Sequence, residues 1–119
     1  MEKCDAKYQW IKRGLKPEHF EHAWIEYCKS TECDWCAQDY KSNMDKNMDH
    51  CHDYGDFRNI LCHSCNTWRR NNCKNIYKII YSFNKYYYRI EVNRNYKNIV
   101  KPPNCYKTIE EAEERLKEF

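Results

Sequence analysis

Two cysteine pairs of the form C-x-x-C, Cys33/Cys36 in "CDWC" and Cys62/Cys65 in "CHSC", restrict the folds open to this chain more than any other feature. Each pair can make a tight knuckle, and 25 residues lie between them. That pattern lets four thiolates close a tetrahedron around zinc, and a metal held this way contributes folding free energy directly. At 119 residues the chain is one domain, or a compact unit with a small appendage, and a core of that size gains from a staple. The competing reading is a set of reduced thiols packed as small hydrophobes. For Cys4, Cys28, Cys73 and Cys105, which have no spaced partner, that reading comes first. A disulfide framework fits poorly, because nine cysteines is an odd number and no signal-peptide core is visible. No run of about 18 apolar residues occurs either. The expectation is a soluble intracellular protein, of the cytoplasm or nucleus and not secreted.

Charge is unevenly spread. Residues 1–67 hold 9 Lys and Arg against 12 Asp and Glu, whereas residues 68–101 hold 9 against 1. The basic stretch is also rich in tyrosine and asparagine. Cations interleaved with rings suit a surface that neutralises phosphates and stacks on bases. The plainer alternative is a solvated sheet face whose lysines serve solubility.

Local patterns place these features on elements. In "GLKPEHFEHAWIEYCKS", Pro17 stands near a helix start, and Phe20, Ala23, Trp24, Tyr27 and Cys28 form an apolar stripe at helical spacing. His19 and His22 lie one turn apart on that helix and could ligate a metal, though surface helices often carry histidines without one. "KNMDHCH" and "FRNIL" read as short strands joined by "DYGD", where Gly55 marks a tight turn. "CHSCNTWRRNNCK" reads as the second knuckle running into a helix, with Asn66, Arg69, Arg70 and Cys73 on one face. Beyond it, "IYKIIYSF", "KYYYRIEV" and "YKNIV" predict three strands, the last two joined by a turn at "NRN". In the second of these, Lys85, Tyr87, Arg89 and Glu91 point one way and Tyr86, Tyr88, Ile90 and Val92 the other. "TIEEAEERLKEF" opens with a capping box from Thr108 to Glu111 and carries Ile109, Ala112, Leu116 and Phe119 as its buried stripe.

A hairpin and a helix pinned by four thiolates would hold Asp49, His50, His52 and Asn66 near one another. Carboxylate and amide oxygens are hard ligands, suited to Mg²⁺ or Mn²⁺. A neutral imidazole beside them can take a proton from water near neutral pH. A metal, a general base and flanking arginines are the parts needed to cut a phosphodiester.

Here the residues carry a family likeness. The ordered segments "RGLKPEHFEHAWIEYCKSTECDWC", "MDHCH" and "FRNILCHSCN" resemble the HNH, or ββα-metal, nucleases, and within them the recombination endonuclease VII group. The resemblance covers about residues 12–73. It implies structural zinc on Cys33, Cys36, Cys62 and Cys65, and catalytic Mg²⁺ or Mn²⁺ on Asp49 and Asn66. It further implies His50 as general base and His52 as a residue positioning phosphate or metal. Asn59 departs from the pattern, since such sequences usually have glycine after the Arg58 position. The C-terminal part is more weakly similar to AP2-like and integrase-arm DNA-binding modules.

The expectation is therefore an α+β protein. Residues 1–74 would form a zinc-stapled ββα-metal core preceded by an amphipathic helix. Residues 75–119 would form a DNA-binding appendage of three antiparallel strands and one helix. The expected activity is hydrolysis of DNA, duplex or branched, by a one-metal mechanism, and a viral or mobile-element origin would suit it. Expected DNA contacts are Arg58, Arg69, Arg70, Lys85, Tyr87, Arg89, Arg94 and Lys97, with no membrane partner and a homodimer as an option. The alternative is a zinc-stabilised nucleic-acid-binding module without catalysis.

Overall fold

The computed structural model describes residues 1–72, 74–82, 85–92 and 104–118, with backbone alone for residues 70–72, 74, 75, 81 and 82. The chain divides into two compact units, 1–66 and 67–119.

The first unit begins with helix α1, Lys3–Lys12, which the sequence reading did not anticipate. Its mean hydropathy is low, and only Ala6 and Trp10, one turn apart, are buried. A short 3-10 turn over Pro17–His19 leads into α2, Phe20–Lys29, so the expected amphipathic helix starts later than Pro17 suggested. Trp10 meets Phe20 at 5.7 Å and Tyr27 edge-on at 5.3 Å between ring centroids. These rings, with Ala6, Leu15, Ala23, Phe57 and Ile60, form the main core.

The expected hairpin is present. Strands β1, Lys46–His50, and β2, Phe57–Cys62, pair antiparallel. Successive strand residues face opposite ways, and here both faces of β2 are used. Ile60 packs into the helical core, while Leu61 packs with Cys33 and Cys62 in a second cluster around the knuckles. The pairing is regular from Lys46↔Cys62 to Asp49↔Asn59 and then shifts, with His50 opposite Phe57. Arg58 is thus the extra residue of a β-bulge, a device that re-aims a side chain. Helix α3, His63–Asn72, follows β2 directly, as expected, and the division between units falls within it.

Both glycines of the chain meet at the closed end of this hairpin. Gly55 has φ +76°, and a Cβ there would lie 2.6 Å from the Gly14 carbonyl oxygen. The Lys16 amide donates to the Gly55 carbonyl at 2.8 Å, so the loop after α1 is stitched to the hairpin turn. A side chain at position 55 would force that stitch apart.

In the second unit, β3, Lys74–Ser82, pairs antiparallel with β4, Lys85–Val92, and α4, Ile109–Leu116, packs on both strands. The predicted three-stranded sheet is corrected to two strands among the described residues. The strand expected at 96–100 and the turn at 93–95 lie outside them. Tyr106 instead makes a single bridge with Tyr88, exchanging backbone hydrogen bonds at 2.7 and 2.8 Å. The capping box forms, since Thr108 Oγ1 accepts from the Glu111 amide at 3.2 Å. Ala112 is buried as expected, but Ile109, the first residue of α4, is 42% exposed. Phe119 lies outside the described residues. No helix among them is long and apolar enough to cross a membrane.

Candidate metal centre and nuclease site

The two knuckles converge as their spacing predicts. The sulfurs of Cys33, Cys36, Cys62 and Cys65 all lie within 4.8 Å of one another. Cys36 Sγ and Cys62 Sγ are 3.9 Å apart. Zinc–thiolate bonds of about 2.3 Å require tetrahedral sulfurs about 3.8 Å apart, so the cluster fits zinc in size, number and softness. Burial pushes the thiols of Cys62 and Cys65 up. At Cys33 burial acts the same way, but amides of Cys36, Cys62 and Trp35 outweigh it and bring the thiol down to about 7. A divalent cation would remove the cost of ionising all four.

The first knuckle is tied to the hairpin by Asp34. Its amide donates to the Ile60 carbonyl at 3.1 Å, and its Oδ2 accepts from the Ile60 amide at 2.9 Å. Asn59 Nδ2 adds a bond to the same carboxylate at 3.3 Å. Asn59 therefore links β2 to the first cysteine knuckle. The second knuckle is set by Asp45. Its carboxylate accepts from the Lys41 amide and from the His63 amide, both at 3.0 Å. The two amide donors hold Asp45 below the usual carboxylate range. A carboxylate on the first amide of α3 complements the helix dipole and fixes the turn that carries Cys65 and Asn66.

Asp49 and His50 end β1, and both are buried, at 4% and 7% exposure. His50 Nε2 lies 3.1 Å from the Arg13 carbonyl oxygen, and its ring centroid is 4.7 Å from that of His52, which is exposed. Burial first, and then the neighbouring His52, hold His50 below its ordinary value, so it is neutral at pH 7. A Cβ at Gly14 would stand 3.5 Å from Nε2, an ordinary contact that shows how closely this loop covers the ring.

Arg58, expected on DNA, is turned inward. Its Nε donates to Asp49 Oδ2 at 3.0 Å and its Nη2 to Asp49 Oδ1 at 2.9 Å, with a third bond to the His50 carbonyl at 3.1 Å. The bulge makes this possible by freeing Arg58 from a position opposite His50. A carboxylate oxygen is a hard donor of the kind Mg²⁺ or Mn²⁺ prefers. Asn66, half-buried on α3, offers an amide oxygen of the same character. Mg²⁺ commonly takes only one or two protein oxygens and completes its shell with water and phosphate. The donor chemistry therefore fits a hard ion.

The basic residues of the second unit are less open than expected. Arg69 is 2% exposed and pairs with Glu91 through Nε to Oε2 at 3.0 Å and Nη2 to Oε1. Arg89, expected on an outward face, is 8% exposed, because the segment after residue 103 covers it. Its Nη1 donates to the Asn104 carbonyl at 2.7 Å and its Nη2 to the Tyr87 hydroxyl at 3.3 Å. Lys85 is exposed and Tyr87 half-buried. The opposite strand face holds exposed Tyr86, with Lys78 Nζ 3.9 Å from its ring centroid. The side chain of Arg70, and Arg94 and Lys97 altogether, lie outside the described residues.

Two residues at the site were missed by sequence reasoning. Arg13 acts through its carbonyl, which no side-chain pattern announces. Asp45 caps a helix 18 residues away, beyond any local capping rule. His19, which the sequence offered as a possible ligand, is buried and accepts the Phe57 amide on Nδ1 at 3.2 Å.

No match was found among curated proteins, and none among solved structures. Nothing in these comparisons supports the likeness of the C-terminal part to AP2-like modules. The sequence profile described as recombination endonuclease VII matches residues 6–89, which includes both knuckles, the hairpin and α3 and ends within β4. Membership implies a nuclease, a phosphodiester hydrolase acting on DNA. This chain belongs to the recombination endonuclease VII family.

Proposed function

We propose that this protein is a metal-dependent DNA endonuclease with His50 as general base, Asp49 and Asn66 as ligands of one Mg²⁺ or Mn²⁺ ion, and His52 beside them to position phosphate or metal. The observation that carries this reading is the bond from His50 to the Arg13 carbonyl. A carbonyl oxygen can only accept, so Nε2 holds the proton and Nδ1 is left as the basic nitrogen. Burial keeps that nitrogen unprotonated at neutral pH, ready to take a proton from an attacking water. The ion, when bound, would stabilise charge developing on the phosphate and the departing 3′ oxygen. Asp45 and the zinc cluster hold the start of α3, and hence Asn66, in place relative to the hairpin.

Residues 1–74 would carry the chemistry and 75–119 the DNA-binding surface. Within that surface the described candidates are Lys85 and Tyr87, with Lys78 and Tyr86 on the other face. Arg69 and Arg89 serve the sheet through their carboxylate and carbonyl partners, and Arg58 serves Asp49. Arg70, Arg94 and Lys97 remain proposed contacts on their charge.

The test is nicking of supercoiled plasmid with Mg²⁺. His50→Ala should lower the rate about 10²–10⁴-fold with DNA binding nearly intact, the range expected for lost acid–base help. Retention of activity within threefold would remove His50 from the mechanism. Absence of any divalent-dependent nicking by the parent protein would favour a binding module.

A further inference from the structure

Lys16 grips the turn of the β1–β2 hairpin in three ways. Its amide donates to the Gly55 carbonyl at 2.8 Å. Its Cγ would stand 3.1 Å from a Cβ at Gly55, so its stem lies close against the glycine. Its Nζ lies 3.2 Å from Oδ1 of Asp56, whose side chain is fully buried. An ion pair with one buried partner is screened by salt less than a surface pair.

This grip bears on His50 from both sides. On the hairpin, the Cys51 amide donates to the Asp56 carbonyl at 2.8 Å, and the Gly55 amide donates to the Cys51 carbonyl at 2.7 Å. The residue that follows His50 is thus tied to the two that Lys16 holds. On the other side, Arg13 ends α1, where a helix leaves carbonyls without partners of its own. Its carbonyl oxygen is the one that lies 3.1 Å from His50 Nε2. Gly14 turns the chain at φ +119°, and Leu15 anchors it in the core. Arg13 and Gly14 are themselves exposed, so this short loop is fixed from its flanks. Those flanks are α1 before it and Leu15 and Lys16 after it.

We propose that Lys16 is a positioning residue of the nuclease site: by clamping the loop after α1 to the hairpin turn, it keeps the Arg13 carbonyl on His50 and fixes the tautomer whose Nδ1 is basic. This rests on the reading of His50 as general base. A neutral imidazole carries its proton on either nitrogen, and the hydrogen bond that one nitrogen makes decides which. Where the carbonyl drifts, the proton is shared between the two nitrogens. A fraction of the molecules then has no base in place. Lys16 touches no reacting atom and acts through Arg13. The plainer alternative is that its ion pair only stabilises the hairpin, and a tautomer measurement separates the two.

The experiment is NMR of the zinc-loaded full chain with isotopically labelled histidine, beside plasmid nicking with Mg²⁺. In the parent, His50 Nε2–H should be protected from water and Nδ1 unprotonated. Lys16→Met keeps much of the stem and removes the ammonium. It should speed Nε2–H exchange and lower kcat at unchanged KM, each about tenfold, a scale that small misplacements reach. The Nδ1 resonance should move toward its protonated position. Lys16→Arg, which can still reach Asp56, should restore both readouts. An Nε2–H as protected in Lys16→Met as in the parent would overturn the role of Lys16 alone. A redistributed tautomer with kcat unchanged would instead overturn His50 as general base, and this proposal with it. Should Lys16→Met lose its zinc or fail to fold, hydrogen exchange of the parent decides. The Lys16 amide and His50 Nε2–H should then open with one free energy, because the clamp and the bond it holds break together. A His50 Nε2–H that stays protected while the Lys16 amide opens would overturn the proposal.

Discussion

The two units each pair an antiparallel hairpin with a helix, yet they are held together by different chemistry. In the first, β1 and β2 are joined to α3 by a cluster of four cysteines from two C-x-x-C knuckles. In the second, β4 is held by polar groups drawn from far along the chain. Arg69 of α3 pairs with Glu91, and Asn104 exchanges two hydrogen bonds with the backbone of Ile90, at 3.0 and 2.8 Å. Asn104 thus does for β4 what a third strand would have done at that residue. Metal ligands at short spacing create one strong, local constraint. Buried ion pairs create specific but conditional ones, because each partner is an expense to the fold without the other. The contrast suits the proposed function, in which the half carrying His50 would have to hold its geometry within fractions of an ångström.

The largest effect should come from breaking the staple. Cys62→Ser should abolish stoichiometric zinc and the cooperative thermal transition of residues 1–66, since thiolate-bound zinc accounts for about 10–16 kcal/mol of apparent binding free energy in small domains. Elemental analysis and calorimetry check this. A variant that melts cooperatively without zinc would show that packing around Leu61 and Cys33 holds the region without the metal.

A smaller loss should follow from halving the buried pair. Arg69→Met leaves Glu91 buried without its cation and should cost about 3–5 kcal/mol in urea unfolding. Adding Glu91→Leu should restore most of it, because an apolar pair of similar volume removes the uncompensated charge. If the double variant is no more stable than the single one, the pair is not an isolated unit. The hydrogen bonds beyond it would then matter as much as the charge.

The smallest effect concerns His19. Burial above all holds it below its ordinary value of 6.5, against the opposing pull of Asp56. The unfolded chain therefore binds more protons between the two values. The stability this adds is complete above about pH 6.5 and declines as pH falls toward the folded value, levelling off below it. His19→Gln, which keeps an acceptor for the Phe57 amide, should flatten the urea midpoint between pH 5 and 7 relative to the parent. Identical slopes in the two proteins would place the titration elsewhere.

What could be read before the structure was in each case a short-range pattern. The cysteine spacing led to the sulfur cluster, the Asp-His run to a strand end, and the Thr108-x-x-Glu111 box to the start of α4. Each depends on residues a few positions apart, whose geometry is set by backbone sterics and hydrogen bonding within one or two turns. The apolar stripe of α2 was legible for the same reason. Helix α1 was not, because two buried residues in ten make too faint a period.

What only the tertiary structure decided was the fate of charge. Sequence counts the cations of residues 68–101, but whether an arginine faces solvent depends on what the chain brings over it. Glu91 stands 22 residues from Arg69, and Asn104 is 15 from Arg89. The inward turn of Arg58 needs a bulge whose register no alternation pattern foretells. An arginine is equally at home on a phosphate and on a buried carboxylate, since both offer the same pair of oxygens to its fork. Its chemistry is written in the residue, and its partner is chosen by the fold.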